Sequence, residues 1–242
     1  MAAKKETKTD STAEVKALQA EVNALKAELE KTKKALADAL KKNETSQPIP
    51  PKEKTMKNGH EYVDLGLPSG LKWAACNIGA SKPEEYGDYF AWAETKTKKE
   101  YTEENSKSYL KDRNDISGSS RYDAARANWG GSWRMPTKGE MEELCKNCTW
   151  EWTKRNGIDG YNVKGHNGNS IFLPVAGNRY GSSRNDAGLR GTYWTSTPVH
   201  CDVYEPEYGN GYAAYRLRLS SSEHYVYGHY RYVGRSVRPV IE

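Results

Sequence analysis

The chain has 242 residues, with 37 Lys and Arg against 32 Asp and Glu. Residues 1–57 hold most of the net charge of +5, and the remainder is close to neutral, which argues against a broad nucleic-acid footprint. No apolar run approaches the roughly 20 residues of a membrane span, and the N-terminus lacks the apolar core of a secretory signal. We therefore predict a protein made and kept in the cytoplasm, unless it leaves within an assembly such as a virion.

The first predicted element is a coiled-coil stalk over residues 11–42, after a disordered N-terminus over residues 1–10. Ser11 and Glu14 form a capping box at the predicted start. Apolar residues then repeat at heptad a and d positions over four repeats, which predicts a parallel homodimer or homotrimer. The alternative is a single amphipathic helix that lies on the rest of the protein. The predicted oligomerisation residues are Val15, Leu18, Val22, Leu25, Leu29 and Leu36.

A spacer and a head domain follow the stalk. Residues 43–57 are polar and contain three prolines, which predicts a stiff linker. The head, residues 58–242, is rich in Gly and Asn with short aromatic runs, a pattern typical of many turns and irregular strands. We predict an α+β fold with irregular antiparallel sheets and two helices. The predicted strands cover residues 61–64, 88–93, 170–174, 191–195 and 213–219, followed by a C-terminal pair.

The two predicted helices of the head cover residues 120–130 and 135–148. In the second, Thr137 and Glu140 form a capping box directly after Pro136. This helix ends in Cys145 and Cys148, which have CxxC spacing but no second pair or histidine partners as a zinc site requires. We therefore predict no metal site, and we interpret these thiols as buried and free.

Five segments of the head carry recognisable motifs: GLPSGLKWAACNIGASKPEEYGDYFAWAE (66–94), NWGGSWRMPTKGEMEELCKNCTWEW (128–152), GNSIFLPVAGNR (168–179), YWTST (193–197) and GRSVRPV (234–240). Together they resemble a known family, the paralogous surface-type domain common in Bacteroidetes and their phages. This Fibrobacter-type major paralogous domain belongs to the formylglycine-generating-enzyme-like subclass. The resemblance covers nearly all of the head and implies a C-type-lectin-like fold.

Within this family, the chain resembles the variable proteins of diversity-generating retroelements. In those systems a reverse transcriptase copies a template, alters its adenines and replaces the 3′ end of the target gene. The resemblance places the variable region at about 178–234. Composition agrees, since free replacement of the adenines in an AAC codon never yields Lys, Gln or Met. Residues 179–242 contain none of these three, although Lys is common upstream.

The tyrosines near the C-terminus suggest a displayed face. With Gly228-His229 as a two-residue hairpin turn, Tyr225, Tyr227, Tyr230 and Tyr232 would share one side. Exposed tyrosines offer rigid, amphipathic contact area, as in antibody paratopes. The alternative is that these rings fill the core.

Upstream of these tyrosines, residues 212–220 alternate between two faces. Leu217 and Leu219 share one face, which we assign to the core. Arg216 and Arg218 share the other face, which we predict to be displayed. Residues 177–191 and 199–212 are predicted to form long loops, where binding residues are common. The predicted ligand-binding positions are Tyr180, Arg184, Asp186, Arg190, Thr192, His200, Asp202, Tyr204, Tyr208, Asn210, Tyr212, Arg216, Arg218, His224, Tyr225, Tyr227, His229, Tyr230 and Tyr232.

These features together predict a non-enzymatic, cofactor-free receptor-recognition protein with a hypervariable surface. Its ligand would be a protein or glycan on another cell or molecule, and the stalk would add avidity. One alternative is a calcium-dependent carbohydrate lectin, for which Glu205-Pro206-Glu207 is a weak indication. Another is a fixed-sequence adhesin or structural subunit of a phage tail. An enzyme like the formylglycine-generating relatives would need a cysteine partner for Cys201, and the sequence suggests none.

Overall fold

The computed structural model describes residues 8–44, 55–200 and 211–242, with the side chains of the first helix described over 14–38. The chain divides into two compact units, Met1–Glu53 and Lys54–Glu242. The fold is mixed α+β, with mostly antiparallel sheets and few helices. Most of the predicted linker, Cys201, and the predicted binding positions Asp202, Tyr204, Tyr208 and Asn210 lie outside the described residues.

One long irregular segment, residues 75–123, separates the third strand from the second helix. In chain order the elements are α1 (Lys8–Glu44), β1 (Thr55–Lys57), β2 (His60–Asp64), β3 (Lys72–Ala74), α2 (Ala124–Trp129), α3 (Lys138–Asn147), β4 (Thr149–Arg155), β5 (Ile158–Lys164), β6 (Ser170–Pro174), β7 (Asn178–Tyr180), β8 (Ser183–Asn185), β9 (Gly191–Pro198), β10 (Ala213–Leu219), β11 (His224–Tyr230) and β12 (Val240–Ile241).

The first unit is described as the single helix α1, which is longer than predicted. It begins at Lys8, so the predicted capping box at Ser11 lies inside the helix, and residues 8–10 are helical rather than disordered. No glycine or proline interrupts residues 8–11, so the helical backbone continues through them. In the described part of the chain, no helix is both long enough and apolar enough to cross a membrane.

The second unit contains sheets with the strand orders β1-β2-β3-β12, β4-β5-β6, β7-β8 and β11-β10-β9. Neighbouring strands within each of these sheets are antiparallel. The first sheet joins both ends of the unit, because β12 pairs with β3 while β1 pairs with β2. The C-terminal strand β12 is therefore hydrogen-bonded to the sheet formed by the first strands of this unit.

Most predicted elements of the head are confirmed. Strands β6 and β10 have the predicted bounds, and β2 and β9 contain the predicted segments 61–64 and 191–195. Helices α2 and α3 lie within their predicted ranges. The capping box is present, since Thr137 accepts a hydrogen bond from the Glu140 backbone and the Glu140 carboxylate accepts one from the Thr137 backbone.

The strand predicted at residues 88–93 is wrong. Phe90 forms only an isolated bridge with Arg235, and the Trp92 N–H donates to the Arg231 carbonyl. Positive φ angles at Gly87 and Ala93, 69° and 59°, turn the backbone at both ends of this segment. The segment therefore pairs with the C-terminal part of the chain over too few residues to form a ladder.

The hairpin predicted at Gly228-His229 is also wrong. Both residues lie within β11, which pairs with β10 over seven consecutive residues, and residues 220–223 form the turn between them. In this ladder Gly228 lies opposite Tyr215. The long pairing with β10 overrides the local turn preference of a Gly-containing pair. The segment predicted as a loop over 177–191 likewise contains the β7–β8 hairpin.

Buried arginines join the C-terminal segment to the core. Arg238 is fully buried and donates from Nε to Asn77 Oδ1 at 2.8 Å. Its two terminal nitrogens donate to the carbonyls of Ala74, Ala75 and Phe172 at 2.8–3.0 Å. Because one planar guanidinium satisfies acceptors on two separate segments, residues 74–77 and β6, it fixes the C-terminal segment to both.

Candidate ligand-binding surface

The sheet β9–β10–β11 turns one face towards the core. Tyr193, Leu217 and Leu219 are fully buried on this face, and Val226 packs against the same cluster. The prediction that the two leucines belong to the core is confirmed. The core contacts of this face therefore hold the sheet in place, and the hydrogen-bonded strands position the side chains on its opposite face.

The opposite face carries residues that are cross-strand neighbours. Arg218 lies between Thr192 on β9 and Tyr225 on β11, and Arg216 lies opposite Tyr227. Residues directly opposed across an antiparallel pair share a face. We name this outer surface the arginine face and define it by Thr192, Arg216, Arg218, Tyr225, Tyr227 and His229. Six predicted binding positions therefore lie side by side.

A cleft of about 450 Å³ opens over the arginine face. The β7–β8 region supplies Tyr180, Asp186 and Arg190 to its wall, so three further predicted positions join the same site. Its lining residues are Asn178, Tyr180, Asn185, Asp186, Arg190, Thr192, Arg216, Arg218, His229, Val233 and Arg235. The volume falls in the range of small-ligand sites, and side chains or sugar rings are of suitable size.

Burial within the cleft corrects one prediction. Arg216 is only 7% exposed, so it is not displayed as predicted but lies at the buried end of the cleft. Thr192, 5% exposed, is equally inaccessible from the outer rim, and its hydroxyl donates to the Gly177 carbonyl at 2.8 Å. The cause is the β7–β8 region, whose residues form a wall beside the sheet. Sequence alternation assigns a residue to a face but not to a depth.

Ion pairs and hydrogen bonds order the charged groups of the cleft. Arg218 forms an ion pair with Glu223 and donates to the Tyr225 hydroxyl at 3.0 Å. Arg190 and Asp186 approach to 3.3 Å. A guanidinium held in this way is pre-organised for a carboxylate or another planar acceptor.

The electrostatics of the cleft keep its histidine neutral. Burial, and then the nearby guanidinium groups of Arg235 and Arg216, lower the pKa of His229 to about 2. The His229 Nδ1 atom accepts a hydrogen bond from the Tyr230 backbone N–H at 2.9 Å. The imidazole is therefore an uncharged hydrogen-bonding group at neutral pH.

A second patch consists of tyrosines in mutual contact. We name it the tyrosine cluster and define it by Tyr109, Tyr180, Tyr212, Tyr230 and Tyr232. The Tyr232 ring lies 5.5 Å from that of Tyr230 and 5.9 Å from that of Tyr180. The Tyr109 ring lies 5.3 Å from Tyr212 and 5.1 Å from Tyr232. Tyr180 also lines the cleft, so the two patches are contiguous.

The tyrosine cluster differs from the predicted face of four tyrosines. Tyr232 is 4% exposed because the surrounding rings cover it, whereas Tyr230 is 36% exposed. Tyr225 and Tyr227, 39% and 37% exposed, lie on the arginine face instead. The predicted grouping depended on the wrong turn, since a strand that continues through residues 228 and 229 changes which side chains share a side.

Sequence reasoning missed Tyr109. It lies in the irregular segment before α2, far in sequence from the predicted variable region. Burial raises the pKa of its hydroxyl to about 12, and the nearby Glu103 adds to the shift. No local pattern marks this tyrosine, because its role depends on a long-range contact with the C-terminal part of the chain.

Three other predicted positions lie apart from both patches. The His224 ring stacks on Trp150 at 4.2 Å. The Arg184 guanidinium lies 5.5 Å from the centre of the Tyr86 ring. His200 is exposed, and it is the last described residue before residue 211. The structure therefore does not bring these three into the arginine face or the tyrosine cluster.

The cysteines of the CxxC pair are not activated. Cys145 and Cys148 are free and pack against the core. Burial raises their pKa values to about 12 and about 11, so both are protonated thiols at neutral pH. Among the described residues, no group of three or more His, Cys, Asp or Glu side chains is placed to hold a metal ion.

Comparison with known proteins gives no match. No known protein family, curated protein or solved structure matches the chain. The chemistry and geometry of the residues in the two patches therefore carry the functional proposal.

Proposed function

We propose that this protein is a non-enzymatic ligand-binding protein whose head has a C-type-lectin-like fold. It would be a variable protein of a diversity-generating retroelement, of bacterial or phage origin, and would need no cofactor. The mixed α+β head supports this fold, since strands from both of its ends pair in one sheet. The long irregular segment before α2 fits a scaffold on which loops carry function.

The observation that carries the proposal is the convergence of predicted variable positions on one surface. Of the fifteen such positions that the structure describes, twelve belong to the arginine face, the wall of its cleft or the tyrosine cluster. Eight of the fifteen are exposed and four are partly exposed. Residues of the same tail that we assign to the framework, such as Trp194 and Arg238, are fully buried. Variation at the surface would therefore alter recognition while the buried residues preserve the fold.

The chemistry of the surface suits a protein or glycan ligand. Exposed tyrosines supply amphipathic contact area at low entropic cost, and arginines supply directional hydrogen bonds and cation–π contacts. Tyrosine and arginine are also the residue types that dominate binding energy in protein interfaces. The arginine face and the tyrosine cluster place both types on contiguous surface.

The helix α1 supports oligomerisation of the same protein. Its heptad residues Val15, Leu18, Val22, Leu25, Leu29 and Leu36 are 42–63% exposed in the single chain. A parallel coiled coil of two or three copies would bury this strip and place several heads side by side. Multivalent display then converts weak binding at each head into avid binding.

Sequencing tests whether the tail is diversified. The 3′ end of the gene and its adjacent DNA would be read across a population of the source. We expect substitutions at the codons of exposed residues such as Tyr180, Tyr225 and Tyr227, invariance at Trp194, and a nearby near-copy with adenines at the varied codons. An invariant tail without such a template would contradict the proposal and leave a binder with one fixed partner.

A display library tests whether the surface tolerates variation. Tyr225, Tyr227 and Tyr230 would be randomised in one library, and the buried residues Tyr193, Leu217 and Leu219 in a matched control library. We expect most members of the first library to fold and most of the second to fail, because core substitutions cost several kcal/mol. Equal loss of folded protein in both libraries would identify the tyrosines as structural.

A further inference from the structure

The irregular segment between β3 and α2 encloses a second cleft, outside the region predicted to vary. It has a volume of about 490 Å³. We name it the basic cleft; its lining residues are Ala93, Glu94, Thr95, Lys96, Thr97, Lys98, Lys107, Lys111, Arg113, Arg121 and Tyr122. Long irregular segments of compact domains are commonly functional.

The charges of the basic cleft are strongly unbalanced. Among its described lining residues, six are cationic and one, Glu94, is a carboxylate. Glu94 is already engaged, since its Oε1 lies 3.1 Å from the Lys98 ammonium and accepts from the Lys107 backbone N–H at 2.9 Å. Cations gathered in one concave site repel one another, and a bound anion would relieve that repulsion.

Two guanidinium groups of the basic cleft are held against one ring. The Arg113 guanidinium lies 4.1 Å from the centre of the Tyr122 ring, and that of Arg121 lies 5.2 Å from it. A hydrogen bond from Arg113 lowers the pKa of Tyr122. In the described part of the chain, the Arg113 Nε atom is buried without a hydrogen-bond partner. A buried donor of this kind is costly unless a ligand or water accepts from it.

We propose that the basic cleft binds a small polyanion that carries two or more tetrahedral oxyanion groups, phosphate or sulfate. An arginine fork matches two oxygens of such a group, and lysine ammonium groups add point charges around it. A ligand with one carboxylate would leave most of the cationic charge unmatched, whereas a di- or triphosphate matches more of it. This site lies outside the arginine face and the tyrosine cluster, so it goes beyond the proposed recognition function.

Calorimetric titration of the full chain with inorganic pyrophosphate tests the proposal. We expect one site per chain that still binds at an ionic strength of about 0.15 M and tightens at lower salt. Arg113→Gln and Lys107→Gln should each weaken binding about tenfold, because each removes a charged hydrogen-bond donor. The matched control is Lys164→Gln, an exposed lysine at the end of β5, which should bind as the parent does.

Titrations with other ligands distinguish phosphate from sulfate as the bound group. They also define the results that would overturn the proposal. Tighter binding of pyrophosphate than of a sulfated heparin disaccharide would assign the cleft to phosphate, and the reverse order to sulfate. Absence of binding to both at about 0.15 M ionic strength would overturn the proposal. So would equal weakening by Lys164→Gln, which would indicate diffuse attraction, or tighter binding of an oligothymidylate, which would indicate a nucleic-acid backbone. Thermal melts of each variant confirm that it is folded.

Discussion

The ring of Tyr109 lies 5.1 Å from the ring of Tyr232, at an interplanar angle of 85°. This edge-to-face contact joins the irregular segment before α2 to the segment that follows β11, 123 residues further along the chain. Aromatic pairs in this geometry add to the stability gained from burial alone. The position of the tyrosine cluster therefore depends on a residue outside the predicted variable region.

The first prediction concerns this contact. Tyr109→Ala should lower the free energy of unfolding by about 2 kcal/mol, because it removes a half-buried ring from several aromatic neighbours. Tyr109→Phe keeps the ring and should cost less than half as much. Urea denaturation measures both. A double-mutant cycle with Tyr232→Ala should give a coupling energy of at least about 0.5 kcal/mol; additive losses would show that the two rings do not stabilise each other.

Sequence patterns predicted the elements whose signals are local. Thr137 and Glu140 predict the start of helix α3, because they occur at the spacing of a capping box. Strand β10 alternates leucine with arginine, and the leucines are buried as that alternation requires. In both cases a few neighbouring residues determine the structure, so no knowledge of the rest of the fold was needed.

The candidate site could be predicted only in part, because its remaining features depend on distant segments. Gly228 resembles a turn residue but lies in a ladder, since the pairing of β10 with β11 outweighs the local preference. The alternation of strand β10 assigns Arg216 to the surface, but the β7–β8 region covers this face, so Arg216 lies at the buried end of a cleft. Tyr109 belongs to the tyrosine cluster through contacts with residues far away in sequence.

The second prediction concerns Arg238, whose guanidinium donates to four buried acceptors. Arg238→Lys should lower the free energy of unfolding by about 3 kcal/mol or more. A lysine ammonium cannot reach all four acceptors. The variant would therefore bury a charge together with carbonyl groups that have lost their hydrogen-bond donor. The control is Arg155→Lys, an exposed position where a change below about 0.5 kcal/mol is expected. Equal urea midpoints for the two variants would contradict this role.

The third prediction concerns the pH dependence of stability. Because the pKa of His229 is about 2 in the folded protein and 6.5 in the ordinary state, the unfolded chain binds a proton that the folded chain does not between these values. The contribution of neutral His229 to stability is therefore fully present well above pH 6.5 and is lost as the pH decreases below it, by up to about 1.4 kcal/mol per pH unit.

His229→Asn isolates this contribution from other groups, including His224, whose pKa burial also lowers. Urea denaturation would be measured at several pH values from about two units below to about one and a half units above the ordinary pKa. The variant should lose less stability on acidification than the parent. If the parent and the variant lose stability equally on acidification, His229 is protonated in the folded state as readily as in the unfolded state, which would contradict the prediction.

The fourth prediction concerns the thiols of the CxxC pair. Since burial raises the pKa values of Cys145 and Cys148 to about 12 and about 11, their thiolate fractions at neutral pH are small. Alkylation by iodoacetamide should be at least about a hundredfold slower in the folded protein than in urea, because the thiolate is the reactive form. Mass spectrometry of the peptide that contains both residues measures the rates. Similar rates in the two states would contradict the buried-thiol interpretation.

The last prediction concerns the exposed apolar strip of α1. Leu25→Lys combined with Leu29→Lys should convert the protein from an oligomer to a monomer in sedimentation velocity, because the coiled-coil seam would have to bury two charges. The control adds the same charge on the outer face, with Ala20→Lys and Ala27→Lys, both exposed in the single chain, and should remain oligomeric. A monomeric parent would contradict the coiled coil and favour a single amphipathic helix, and the avidity argument would then fail.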